Sequence, residues 1–441
     1  MDQTPARSLA RNSGNDRPSN AGMNRVVVLL GLSVLINYID RANLSVAAPL
    51  LKGELHLSPS QLGILLSAFF WTYALMQPFI GWVLDRFEVK WVFAIGFLAW
   101  SLATAVTGAV HGFVALLVMR VVLGLGESVA YPSYSKIFAC HLVERQRGVA
   151  NSAIGAGQAL GPALGILFGG TIVARFGWRP FFVALGLISL IWLLPWLRWM
   201  PRTNNFAAED GAVKPGFIEI LKQRSAWGTC IGHFCGNYPL YFLLTWLPLY
   251  LVNERHYSMN GMAKIGGATF FCTTASALVC GWLSDRWIAS GASVTRVRKT
   301  FTVGGSFCVG IFLAASILAP EQFSLGLLFL AGASYGLFSS NFTAITQTMA
   351  GPQAAGRWMG AQNFIGNLAG WVAPTLTGIL VQRTGHYLWP FLIAGMVAVA
   401  GAANWLFMIG PIRPVVWKLR SKQNLEPQRA QTSPSKTAPA H

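Results

Sequence analysis

Apolar residues run through the chain in twelve long stretches separated by short polar breaks. The stretches lie near 26–51, 60–84, 91–110, 113–138, 148–174, 180–199, 226–252, 262–284, 300–319, 323–349, 356–381 and 387–410. An α-helix needs about 20 apolar residues to cross a bilayer, so each stretch is a candidate transmembrane helix. Three longer polar stretches frame them, at residues 1–24, 201–225 and 412–441. The pattern predicts an all-α membrane protein of twelve transmembrane helices in two pseudo-symmetric six-helix bundles. Its expected parts are a disordered tail (1–24), an N-terminal bundle (25–200), a linker (201–225), a C-terminal bundle (226–411) and a second disordered tail (412–441).

Composition sharpens this picture. Of the 441 residues, 54% are hydrophobic and only 11% charged, whereas an ordinary soluble domain carries ~25% charge. A conventional soluble enzyme and a disordered chain are both excluded. The net charge of +18 would suggest nucleic acid in a soluble protein, but here the placement of the charges matters more than their sum. With both termini cytoplasmic, the tails and the loops after even-numbered spans hold 24 of the 33 basic residues, against six on the opposite side. That asymmetry satisfies the positive-inside rule and sets the expected orientation. The N-terminal stretch lacks the apolar core and cleavage site of a signal peptide.

The two halves echo one another. Gly81-Trp82-Val83-Leu84-Asp85-Arg86 follows the second span, and Gly281-Trp282-Leu283-Ser284-Asp285-Arg286 follows the eighth. A weaker echo pairs Arg147-Gly148 with Arg357-Trp358, each ahead of a Gly-rich span. Repeated six-span halves are the plan of rocking-bundle transporters, whose site lies between the halves near the midplane. The Gly-x-x-x-Asp-Arg loop resembles the signature loop of the major facilitator superfamily, and the resemblance covers residues 25–410. It implies gating loops built on Gly81, Asp85, Arg86, Gly281, Asp285 and Arg286. Glu88 departs from the pattern, standing where a second Gly is usual.

A charge at mid-bilayer costs ~2.5–3.5 kcal/mol even on the lenient insertion scale, so ionisable residues inside spans are functional candidates. Span one carries Asp40 and Arg41; span four carries Arg120 and Glu127. Arg120 and Glu127 are seven residues apart, about two turns, and share a helix face. Two arginines can hold an anion beside a carboxyl group able to carry a proton. The competing reading is a set of neutralising ion pairs that pin helices together.

These helices also resemble the anion:cation symporter branch of the superfamily, which includes bacterial sugar-acid transporters, sialin and the vesicular glutamate carriers. The matching stretches are Asn37-Tyr38-Ile39-Asp40-Arg41, the run from Arg120 to Pro132, Thr245 to Leu251 in span seven, and Asn363 to Gly370 in span eleven. In the galactonate transporters, the positions matching Arg41 and Arg120 are implicated in substrate binding and those matching Asp40 and Glu127 in proton coupling. Tyr73 and Gln158 match polar pocket positions there. Tyr38, Asn363 and Asn367 complete the expected substrate contacts. Further polar candidates are Asn237, Tyr238 and Tyr241 in span seven, Ser339, Ser340, Asn341 and Thr343 in span ten, and Gln362 in span eleven. Any of these can instead bond across helices merely to pack them.

Other signals weigh less. Gly332-Ala333-Ser334-Tyr335-Gly336 spells a hydrolase elbow inside an apolar helix, where no strand precedes it. Gly155-Ala156-Gly157-Gln158-Ala159-Leu160-Gly161 imitates a dinucleotide loop but reads as a small-residue packing face. His233, the one histidine inside a span, is either a proton relay or a helix-bonded side chain. The six cysteines form no C-x-x-C pair, so no metal site, disulfide framework or cofactor is expected.

The sequence therefore predicts a secondary active transporter rather than an enzyme. It is expected to be a monomer in the bilayer of a bacterial inner (plasma) membrane with both termini cytoplasmic. Its expected partners are an organic monoanion, foremost a sugar acid such as galactonate, and protons, with no nucleic acid. A proton-independent anion or phosphate-linked exchanger and a transporter-like solute sensor are the alternatives.

Overall fold

The computed structural model describes residues 20–141, 144–200 and 215–417, and over that length it is built of helices, with no strand among the described residues. The first half comprises α1 (Asn20–Glu54), α2 (Pro59–Arg86), α3 (Val89–Thr107), α4 (Phe113–Glu127), α5 (Ala130–His141), α6 (Glu144–Phe176), α7 (Trp178–Ser189) and α8 (Leu193–Trp199). A short helix, α9 (Phe217–Leu221), leads into α10 (Arg224–Asn253), α11 (Met259–Ala289), α12 (Val294–Leu318), α13 (Glu321–Ser339), α14 (Phe342–Thr384) and α15 (Leu388–Phe407). Most of the expected tails, 1–19 and 418–441, and residues 201–214 of the expected linker lie outside the described residues.

Ten stretches, one of them combining α4 and α5 and another α7 and α8, are long and apolar enough to cross a membrane. The remaining two of the twelve expected spans are α2 and α10, of 28 and 30 residues. Both are long enough to cross; Tyr, Pro and polar side chains dilute the hydropathy of α10, whereas the stretch 62–79 of α2 is as apolar as several of the ten. On α10 the residues Asn237, Tyr238, Pro239, Tyr241 and Pro248 are buried, while Trp227 and, on α2, Trp82 face outward.

The internal repeat extends well beyond the loop hexapeptide. Ser58 caps α2 and Ser258 caps α11, each hydroxyl accepting the backbone N–H three residues on, from Gln61 at 3.2 Å and Gly261 at 3.1 Å. Two serines at the same distance ahead of the two Gly-Trp-x-x-Asp-Arg loops start two helices of nearly equal length. The N-caps satisfy backbone donors that would otherwise be orphaned at the helix start.

Spans four and ten, which the apolar pattern predicts as continuous helices, are both broken. Span four stops at Glu127 and restarts at Ala130. Pro132 cannot donate to the Ser128 carbonyl, and its ring crowds that oxygen. Span ten stops at Ser339 and restarts at Phe342. There Ser339 and Ser340 bond back to the Gly336 and Leu337 carbonyls at 3.2 and 2.9 Å, competing with the helical ladder. Spans ten and eleven then join through Gly351 at φ +65°, a left-handed conformation that suits glycine.

The two halves meet along α2 against α14, α6 against α11, and α1 against α10. Contact is closest toward the face bearing the loops at 55–58, 254–258 and 385–387. There Gly63 and Gly378 cross back to back, and a Cβ on Gly63 would stand 2.7 Å from the Pro374 carbonyl oxygen. The Ser60 amide donates to Gln382 Oε1 at 3.1 Å, and Thr274 Oγ1 donates to the Ala159 carbonyl at 2.8 Å. Farther from that face, Asn363 Nδ2 donates to Gln77 Oε1 across the interface at 3.2 Å. This structure is therefore sealed on the face of the odd-numbered loops.

Candidate central binding site

Four charged side chains meet between α1, α3 and α4, all removed from solvent: Asp40 is 1% exposed, Arg41 and Arg120 4%, and Glu127 0%. Small residues let these helices come close enough. A Cβ on Gly126 would stand 2.8 Å from the Trp100 backbone nitrogen, so α4 packs against α3 backbone to backbone. Thr72 Oγ1 donates to the Val121 carbonyl at 2.8 Å and ties α2 to α4 beside the site.

Within the cluster, the pairing crosses between helices. Arg41 Nε donates to Glu127 Oε2 at 3.0 Å. Glu127 is the last residue of α4, an end where the helix dipole disfavours an anion unless a cation is supplied. Arg41 supplies it from α1. Asp40 does not bond its sequence neighbour Arg41. Its Oδ1 accepts from Thr104 Oγ1 on α3 and from Asn43 Nδ2, both at 3.2 Å. Adjacent residues on a helix point in different directions, which is why the charges separate this way.

Aromatic rings enclose the first arginine. The Arg41 guanidinium carbon lies 4.4 Å from the Tyr73 ring centroid, 4.6 Å from Tyr38 and 4.9 Å from Phe69. Arg120 approaches Phe69 at 5.6 Å. Such faces stabilise a desolvated cation without neutralising it. Several buried polar atoms have no hydrogen-bond partner among the described residues: Arg41 Nη2, Arg120 Nε, Glu127 Oε1 and Asp40 Oδ2. Two of these are guanidinium donors, the geometry that carboxylates match best.

The C-terminal half contributes neutral groups. Tyr241 on α10 donates to Asn367 Oδ1 at 2.7 Å. Asn367 Nδ2 in turn donates to the Asn363 carbonyl at 2.8 Å and the Asn363 side-chain oxygen at 3.2 Å. Asn363 then reaches Gln77 across the interface. Phe70 on α2 packs edge-on against Tyr241, with ring centroids 4.6 Å apart. Tyr241 also has Tyr38, Arg41, Tyr73 and Tyr335 among its electrostatic neighbours, so both halves converge on Arg41.

Several sequence expectations look different in three dimensions. Tyr38, Tyr73, Arg41, Arg120, Asp40 and Glu127 come together, and Asn363 and Asn367 face them. Gln158 is exposed and its Oε1 accepts from Tyr131 at 3.0 Å, one layer away from the charges. Asn341, a candidate polar contact, is engaged elsewhere: its Oδ1 accepts from Arg298 and Ser284, both at 2.7 Å. Arg298 also bonds Asp285 at 3.0 Å, so Asn341 belongs to the repeated loop and the break in span ten. In that loop and its counterpart, Arg86 and Arg286 lie over Trp82 and Trp282 at 4.0 and 5.3 Å. Gly81 and Gly281 leave room around them, and the Asp85 side chain lies outside the described residues. His233 Nδ1 bonds the Gln362 carbonyl at 3.1 Å, linking α10 to α14.

Three groups were not singled out from sequence. Phe69, Tyr73 and Gln77 recur every four residues on α2, and that spacing would have placed Phe69 and Gln77 on the face carrying Tyr73. Thr104 gave no such signal, being one of several hydroxyls in an apolar helix.

Two helical bundles around a buried, charge-bearing cleft define a multi-pass membrane transporter. The major facilitator superfamily model matches residues 30–374, and the chain belongs to that family. Relatives include the hexuronate transporter of Bacillus subtilis, 30% identical over 89% of this chain and 95% of that protein. The "Probable galactarate/D-glucarate transporter GarP" of Escherichia coli is 28% identical, covering 88% and 95%. Among solved structures, a bacterial homolog of the human lysosomal transporter Spinster, inward-facing and occupied, aligns with a TM-score of 0.75 at 17% identity. That alignment covers 89% of this chain and 97% of the other. The chain is thus a membrane transporter on the major facilitator fold rather than an enzyme.

Proposed function

We propose that the protein is a proton-coupled symporter of a sugar-acid monoanion, working by alternating access in a bacterial inner membrane with both termini cytoplasmic. In that orientation the sealed face is periplasmic, and the conformation is inward-facing. The observation that carries the reading is the bond between Arg41 and Glu127. A substrate carboxylate and the Glu127 carboxylate compete for the same guanidinium, so protonating Glu127 frees Arg41 to receive the anion together with Arg120. Loading the anion and loading the proton then become one event. Tyr38 and Tyr73 shape the anion end, while Asn363, Asn367 and Tyr241 are placed to read hydroxyls. Asp40, held by neutral donors, is the second proton carrier and resets the empty protein.

An anion that enters with more than one proton brings in positive charge, so the membrane potential adds ~2.3 kcal/mol per charge per 100 mV to accumulation. The relative named for hexuronate, a monoanion, supports the substrate class, and the one named for galactarate/D-glucarate supports sugar acids more broadly. In proteoliposomes, an inward proton gradient should drive accumulation of at least one of the monoanions D-galactonate and D-glucuronate, with the dianion D-glucarate as the comparison. Accumulation that ignores the gradient and requires sodium would overturn the proposal.

A further inference from the structure

Asp40 is bonded by neutral groups alone, whereas the other buried carboxylate, Glu127, has Arg41. The Asp40 Oδ1 has two neutral donors, while Oδ2 is buried with no hydrogen-bond partner among the described residues. Asn43 is one turn along the same helix. Thr104 comes from α3 and is the only group from another helix that bonds the carboxylate among the described residues. A buried helical threonine ordinarily turns its hydroxyl back to a carbonyl of its own helix, as Thr107 does to Ala103 at 2.7 Å in the next turn of α3. Thr104 instead reaches across to Asp40 and is only 3% exposed.

The charged groups around Asp40 are few. α4 presents Glu127 and Arg120, and Arg41 on its own helix is turned to Glu127. α6 carries no charged residue between Arg147 and Arg175, and it sets Gly161 and Gly165 against the turns at Tyr38, Ile39 and Ala42. α2 and α10 turn Tyr73 and Tyr241 toward Arg41. No cation bonds Asp40 directly among the described residues, so a hydroxyl donor has unusual leverage over its ionisation.

We propose that Thr104 is the positioning residue for the proton at Asp40: its hydroxyl holds the ionised carboxylate on α3 and fixes the pH at which the carrier gives that proton up. The hydroxyl donates to Oδ1 while the proton comes and goes at the unpartnered Oδ2. A hydrogen bond to a carboxylate is stronger than one to a neutral carboxyl group, so α1 and α3 are bound more tightly when Asp40 is ionised. Protonation loosens that seam within the N-terminal bundle. This rests on the reading of Asp40 as a proton carrier.

The full-length protein tests this in two ways. Thermal unfolding of purified wild type, Thr104→Val, Thr104→Ala, Thr104→Ser, Asp40→Asn and the Asp40→Asn/Thr104→Val pair is followed from acid to alkaline pH. The stability lost in Thr104→Val and Thr104→Ala should grow as pH rises and Asp40 ionises. It should vanish in the Asp40→Asn background, and Thr104→Ser should restore the wild-type curve. In proteoliposomes, the pH midpoint of uptake of the best-transported of D-galactonate, D-glucuronate and D-glucarate should move upward by about one unit in Thr104→Val. A stability loss equal at every pH, or one that persists in the Asp40→Asn/Thr104→Val pair relative to Asp40→Asn alone, overturns the proposal. So does an unmoved uptake midpoint in a carrier whose Asp40→Asn variant flattens the profile. Should Asp40→Asn itself keep the wild-type profile, the reading of Asp40 as a proton carrier fails, while the unfolding curves still judge the contact with Thr104.

Discussion

The two bundles contribute unlike chemistry to one cleft. The N-terminal side places four buried charges within a few turns of one another, with three rings around Arg41. The C-terminal side offers a chain of neutral donors and acceptors running from Tyr241 through Asn367 and Asn363 to Gln77. Charges attract strongly but discriminate poorly among carboxylates. Amides and hydroxyls attract weakly, yet a missing or misplaced substrate hydroxyl leaves them unpaired and costly. On the proposed function, the N-terminal half would capture the anion and couple it to protons, and the C-terminal half would choose among sugar acids and close on them.

This division can be broken most forcefully at Arg41. Arg41→Ala should abolish substrate binding, and because it leaves Glu127 buried without its cation it should also destabilise the fold by roughly 3–5 kcal/mol. Adding Glu127→Gln should recover most of that stability without recovering binding. Parallel thermal unfolding and ligand-binding titrations separate the two effects, and near-wild-type affinity in Arg41→Ala would make the residue structural.

Arg120 offers a milder test of the same half. An ammonium cannot copy the planar two-bond geometry of a guanidinium on a carboxylate, so Arg120→Lys should weaken binding roughly tenfold. On the opposite half, Asn367→Ala should alter relative uptake among D-galactonate, D-glucuronate and D-glucarate by about fivefold. Dependence on the proton gradient should survive it. Loss of gradient dependence in Asn367→Ala would dissolve the proposed division between the bundles. The smallest effect is expected at Asp285→Asn. Its ion pair with Arg298 is largely exposed on the aspartate side, at 71%, and such pairs contribute ~0–1 kcal/mol. Substrate affinity should stay unchanged while the turnover rate falls modestly, as measured by initial uptake at saturating solute.

The architecture was legible in the sequence because a membrane imposes a simple rule: each crossing is a long apolar run, and each buried charge needs a reason. Asp40, Arg41, Arg120 and Glu127 stood out on that rule alone. What linear spacing could not convey was partner choice. Arg120 and Glu127 share a face of α4, yet the bond to Glu127 comes from Arg41, and Asp40 turns to Thr104 instead of its neighbour. These choices depend on helix rotation and on close approach at Gly126, which are tertiary properties. The breaks in spans four and ten were hidden because the apolar pattern continues straight through them, although Pro132 and the Ser339-Ser340 pair mark the places. Asn341 looked like a pocket residue because polar side chains in spans are ambiguous until their partners are known.

The competition between Glu127 and substrate for Arg41 is the centre of the account, and Glu127→Gln isolates it. Glutamine is close in shape to the protonated acid but can neither release a proton nor hold Arg41 as a counter-charge. On the same proteoliposomes, solute counterflow is measured beside uptake driven by a proton gradient. The account predicts that Glu127→Gln retains counterflow and loses accumulation. A Glu127→Gln carrier that still concentrates solute against its gradient would contradict it.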